Sequence, residues 1–179
     1  MTTTIEKQTD IYLIRYGAVP EVARFANDSP ERPERGNSVV VETDRGLQLG
    51  TVLECLKPNF DPAKESETEF KLIRSATDSD LVSNQKLLRE CEEAFPLWCA
   101  RISQWELNLE LIDLEWTLDR SKLILYVLCE RGPDSTKLAL QAAAGGFGVI
   151  EVQPVSVTGL VKVEKSSCGS GGGGCGCHE

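Results

Sequence analysis

The stretch that most restricts the fold is "GNSVVVETDRGLQLGTVLEC", Gly36 to Cys55. A β-branched run from Val39 to Thr43 meets Asp44-Arg45-Gly46, and a second apolar run continues through Leu53. Two strand-forming runs separated by a tight, glycine-bearing turn predict a β-hairpin, with Gly46 supplying the positive φ. Gly50 interrupts the second strand and marks a bulge or close backbone packing. Upstream, "DIYLIRYGAVPEVARFAN" alternates apolar and polar residues around Gly17 and Pro20, the pattern of two short strands joined by a turn. Together these pieces predict a small antiparallel β unit within residues 1–57. The polar, proline-bearing stretch after it, residues 58–77, reads as a connection.

The period then changes. Thr77 with Asp80 three residues later has capping-box form, and Leu81, Leu88, Cys91, Phe95, Trp98, Ile102 and Trp105 recur at helical spacing. That stripe predicts a core-facing helix, kinked or broken at Pro96. Leu107, Leu109 and Leu111 alternate, the polar "DRSK" follows, and an apolar run fills Leu123 to Leu128, which predicts a second hairpin. "GPDSTKLALQAAAGG" carries an Asp or Ser N-cap and terminal glycines, the signs of a short helix, and "VIEVQPVSV" reads as a closing strand. The expected fold is α+β: the antiparallel β unit followed by an α-β-β-α-β unit over residues 78–160, with its helices on one face of the sheet. Residues 161–179 form a Gly/Cys-rich tail expected to be flexible.

Composition narrows the functional classes. The net charge of −9 sets a repulsive average field against a phosphate backbone, and Arg32 and Arg35 alternate with Glu31 and Glu34 in what reads as a solvated loop. The N-terminus lacks a basic start and an apolar h-region, and no apolar run has the length to cross a bilayer, so a cytoplasmic location is expected. In a reducing compartment Cys55, Cys91, Cys99 and Cys129 read as buried small hydrophobes.

No nucleophile elbow or phosphate loop is present, and "GGFG" at residues 145–148 falls after a helix, the wrong order for dinucleotide binding. Asp113 and Glu115 alternate along a strand and read as a solvated face. The single histidine lies in the tail, so the expectation is a protein that is not an enzyme. In "CGSGGGGCGCHE" the tail places Cys168, Cys175, Cys177 and His178, a donor set suited to zinc or, with thiolates dominant, to an iron-sulfur cluster. The spacing matches no common zinc or ferredoxin pattern, so three readings stand: a metal site, a flexible arm, or a cluster completed by ligands from another subunit.

The string Leu111, Asp113, Glu115, Trp116, Thr117, Asp119, Ser121, Lys122 and Tyr126 resembles the polymerase-suppressor-type C-terminal domain family, the YaaT/RicT-like regulatory proteins. Glu42, Thr43, Arg45, Gly46 and Gly50 match that family's glycine-bounded hairpin, and the likeness runs from about Ile11 to Val157. The resemblance implies a non-enzymatic cytoplasmic regulator. It further implies small helical partner proteins, an association with ribonuclease-dependent RNA maturation and phosphorelay signalling, and complexes that can carry iron-sulfur clusters. A metal carrier, and a nucleic-acid-binding protein, are the alternatives from other classes.

Overall fold

The computed structural model describes residues 9–56, 70–128, 133–156 and 159–161. Strands β1 (Asp10–Tyr16), β2 (Glu21–Asn27), β3 (Ser38–Thr43), β4 (Gly46–Leu56) and β5 (Phe70–Ser75) close into a barrel of order β1-β2-β5-β3-β4. Both expected hairpins are there, β1 with β2 and β3 with β4. The closing strand is the difference from the expected antiparallel unit. β5 lies inside the stretch read as a connection, and it joins β3 antiparallel and β2 parallel. "FKLIRS" has the required period, with Leu72 buried and Lys71 and Ile73 exposed, and closure removes the unpaired edges that an open five-stranded sheet would present. Tyr12, Ile14, Tyr16, Phe25, Val39, Val41, Val52 and Leu72 fill the interior, where Tyr16 meets Phe25 edge-on at a centroid distance of 5.4 Å.

Helix α1 (Asp78–Gln104) starts at the expected capping box: Thr77 Oγ1 accepts from the Asp80 N–H, and the Asp80 carboxylate accepts from the Thr77 N–H. Of the expected kink or break at Pro96 the break is absent: the helix runs through this residue, which lies on its exposed side. The buried stripe also differs. Leu87, Cys91, Trp98 and Ile102 are buried, whereas Leu81 and Leu88 are 39% and 47% exposed. A helix of 27 residues is about 40 Å long, roughly twice the span of the six- and seven-residue strands it covers, so its N-terminal turns overreach the sheet.

Strands β6 (Glu110–Trp116), β7 (Leu123–Leu128), β8 (Ile150–Ser156) and β9 (Gly159–Leu160) form a mixed sheet in that order, β7 and β8 being parallel. Helix α2 (Asp134–Ala144) joins them, capped at Pro133 without a side-chain bond rather than by Asp or Ser. Asp134 instead accepts from the Asn108 N–H and from Lys137. Central β7 is buried on both faces. Leu123, Leu125 and Val127 pack with Trp98 and Ile102 of α1 and Leu138 and Ala142 of α2, while Ile124 and Tyr126 face the opposite side.

Candidate functional site

Where the barrel meets the sheet, polar side chains form a closed circuit. Arg45 stands at the tip of the β3–β4 hairpin, yet its side chain is only 7% exposed. Gly46 beside it has φ +126°, and a Cβ there would sit 3.1 Å from Thr117 Cγ2, so the turn needs glycine for both backbone and space. Arg45 Nη2 donates to Glu21 Oε2 at 2.5 Å, and Nη1 donates to the Tyr126 hydroxyl at 3.3 Å. That hydroxyl donates to Glu115 Oε2 at 2.6 Å. Glu115 Oε2 also accepts the Ala18 N–H at 2.9 Å, and Oε1 accepts from Gln48 Nε2 at 2.7 Å. Thr43 Oγ1 donates to Gln48 Oε1 at 2.8 Å and accepts the Arg45 N–H at 3.1 Å, which returns the path to its start.

Burial sets the protonation states. It pushes the Tyr126 phenol well above its ordinary value, and the adjacent Glu115 carboxylate adds to the shift; Tyr16, beside Glu21, is raised in the same way. Both remain neutral donors. Burial opposes the charge on Arg45, but Tyr126 and Glu21 outweigh it and hold the guanidinium above its ordinary value. A buried charge of this kind is tolerable only when paired, and removal of one partner costs about 3–5 kcal/mol.

The β6–β7 turn continues the site outward. Thr117, fully buried, donates its N–H to the Lys122 carbonyl and accepts the Lys122 N–H on its hydroxyl. Asp119 accepts from the Ser121 N–H and hydroxyl. Arg120, at φ 57°, grips Glu90 of α1 through both guanidinium nitrogens and lies 5.5 Å above the Trp116 ring. Lys122 pairs with Glu151 at 2.7 Å. These exposed or half-exposed pairs fix a turn more than they stabilise it.

Next to the circuit a crevice of about 120 Å³ opens between the barrel and α1, lined by Gln48, Leu88, Cys91, Glu115 and Trp116 among others. It is smaller than the roughly 300 Å³ of ordinary small-molecule sites. Burial pushes the Cys91 thiol up to about 11, so it is a poor nucleophile near neutrality. Both carboxylate oxygens of Glu115 and the hydroxyl of Tyr126 are engaged within the protein. The arrangement holds two parts of the chain together.

Several expectations change at this point. Asp113 and Glu115 keep their alternation on one face of β6, but that face is not solvated at Glu115, because the barrel covers it through Gln48 and Ala18. Cys55 and Cys99 are exposed rather than buried, and of the expected buried thiols Cys91 is the one found so; Cys129 lies outside the described residues. Cys168, Cys175, Cys177 and His178 also lie outside them, and no group of three or more metal-ligating side chains occurs among the described residues. Arg45 and Tyr126 stood out in the sequence only through the family resemblance. Nothing local separates a buried arginine at a hairpin tip from a solvated one.

Residues 70–141 of the chain match the PSP1 C-terminal conserved region, in line with the family resemblance expected from the sequence. Among its relatives is the stage 0 sporulation protein YaaT of Bacillus subtilis (strain 168), 29% identical over 130 residues. That similarity takes in 73% of this chain and 47% of YaaT, so the chain spans about half the length of the curated relative it matches. No solved structure matches the chain.

Proposed function

We propose that the chain is a non-enzymatic regulatory adaptor that works by binding other proteins. The observation that carries this reading is the engagement of the signature residues Glu115, Thr117, Lys122 and Tyr126 with one another and, through Glu115 and Tyr126, with the barrel. Such residues shape a surface; they do not present a reactive group. The name of the relative, a stage 0 sporulation protein, supports a regulatory role. Apolar side chains that α1 leaves exposed, Leu81, Val82, Leu88 and Leu97, suit contact with protein partners. The family resemblance favours small helical regulatory proteins and ribonuclease machinery in the cytoplasm, with any nucleic-acid contact indirect.

The test is affinity capture of the tagged full chain from native lysate of its own host, with the bound proteins quantified. A stoichiometric protein partner is the expected result. Recovery of the chain alone would sink the adaptor reading.

A second reading is favoured by the donor set Cys168, Cys175, Cys177 and His178, three thiolates and an imidazole suited to zinc or an iron-sulfur cluster. In it the folded part tethers a metal-carrying tail. Oxygen-free purification followed by elemental analysis distinguishes the two: a carrier holds zinc, or iron with sulfide, and loses it when the three cysteines become serine. An adaptor keeps its partners after the same changes.

A further inference from the structure

The barrel and the sheet have separate interiors. One apolar cluster is drawn from β1 to β5 alone, and another from α1, α2 and the helix-facing side of the sheet. Between them lies a smaller cluster, Ile124, Tyr126 and Val155 with Ala18, Val19 and Leu160. Apolar contact of that kind has no directional preference. Away from the β5–α1 connection, where Arg74 pairs with Asp80, the directional contacts across the boundary are polar: Ala18 N–H and Gln48 Nε2 to Glu115, Arg45 Nη1 to Tyr126, and the Leu118 N–H to the Leu47 carbonyl at 2.7 Å.

We propose that this circuit is an orientation joint: it fixes the angle between the barrel and the α/β sheet, while each part draws its stability from its own core. The inference does not rest on the adaptor reading, because it concerns how the two parts are held and not what binds them. Three features carry it. Hydrogen bonds lose strength steeply with misalignment, so a set of four across one boundary selects one relative placement. Tyr126 serves both functions at once, its ring in the small apolar cluster and its hydroxyl between Arg45 and Glu115. Beside the circuit a crevice of about 120 Å³, lined by Gly17, Ala18 and Gln48 of the barrel and by Asn84 and Leu88 of α1, interrupts the packing between the two parts. The Arg45–Glu21 pair lies within the barrel and holds the guanidinium where its Nη1 meets the Tyr126 hydroxyl of the sheet.

The joint is tested on the full chain by amide residual dipolar couplings in a weakly aligned medium. In the wild type, couplings from barrel strands β1–β4 and from sheet strands β6–β8 should fit one alignment tensor. Tyr126→Phe deletes the central hydroxyl and keeps the ring; Gln48→Met cuts the other arm and keeps the volume. In both variants each set of couplings should still fit internally, with loss of the shared tensor. A single tensor for both parts in both variants would overturn the joint, since orientation would then be set by packing. Collapse of the internal fits, or failure of both variants to fold, would overturn it too, because the circuit would then be part of the stabilising core.

Discussion

Gly50 on β4 faces the barrel interior, where an added methyl would lie 2.4 Å from Ile14 Cγ2 and 3.3 Å from the Arg15 carbonyl oxygen. β1 and β4 are paired at this point, so neither neighbour can yield without moving a strand. Gly50→Ala is expected to destabilise by about 1–3 kcal/mol, read as a lower urea midpoint at unchanged slope. The close-packing role of Gly50 was legible from a lone glycine inside an apolar run. Glu115 was not legible, because its environment comes from Gln48 and Ala18, far away in sequence. The thiols divide the same way. Cys55 and Cys99 are exposed and Cys91 is buried with its thiol near 11, so at about pH 8 a maleimide should modify the first two well before Cys91. Rapid modification of Cys91, located by peptide mass, would contradict the burial.

At the scale of elements, the start of α1 is the part most fully written in the sequence. Thr77 and Asp80 have the spacing, and the structure adds Arg74, whose Nη1 and Nη2 reach the Asp80 carboxylate at 2.6 and 3.0 Å. Arg74 first, and then the Thr77 N–H and hydroxyl, hold the Asp80 carboxyl well below the usual carboxylate range. A carboxylate whose folded value is depressed contributes stability in full above its unfolded value of about 4, and the contribution fades as pH falls below that. The melting-temperature gap between wild type and Asp80→Asn should therefore be full near pH 5 and narrow toward pH 2.5. A gap that widens on acidification would refute this assignment. Pro96 pointed to a kink or a break, and the break does not occur. A proline removes one intrahelical bond, and in a helix of 27 residues held by Trp98 and Ile102 on one side and the capping box at the other the remaining turns carry it through.

At the scale of the whole molecule, the PSP1 C-terminal conserved region does not coincide with a folding unit. Residues 70–141 begin with β5, which has no partners without β2 and β3, and end before β8, which pairs with the central strand β7. A fragment of residues 70–141 is expected to lack a cooperative thermal transition, whereas residues 9–161, which hold every strand partner, should melt cooperatively. The local hairpins and the second α/β segment could be read from periodicity, but closure of the barrel could not. It depends on β5 pairing parallel to β2 across more than forty residues, and no local pattern encodes such a partner.

The polar circuit itself is most directly tested by a double-mutant cycle on unfolding free energy, using Tyr126→Phe, Glu115→Gln and the two together. The 2.6 Å bond between these side chains, buried and shared with Arg45, should give a coupling energy on the order of 1 kcal/mol or more. Strictly additive effects would mean that the two residues do not act together, and would contradict the circuit that joins barrel to sheet.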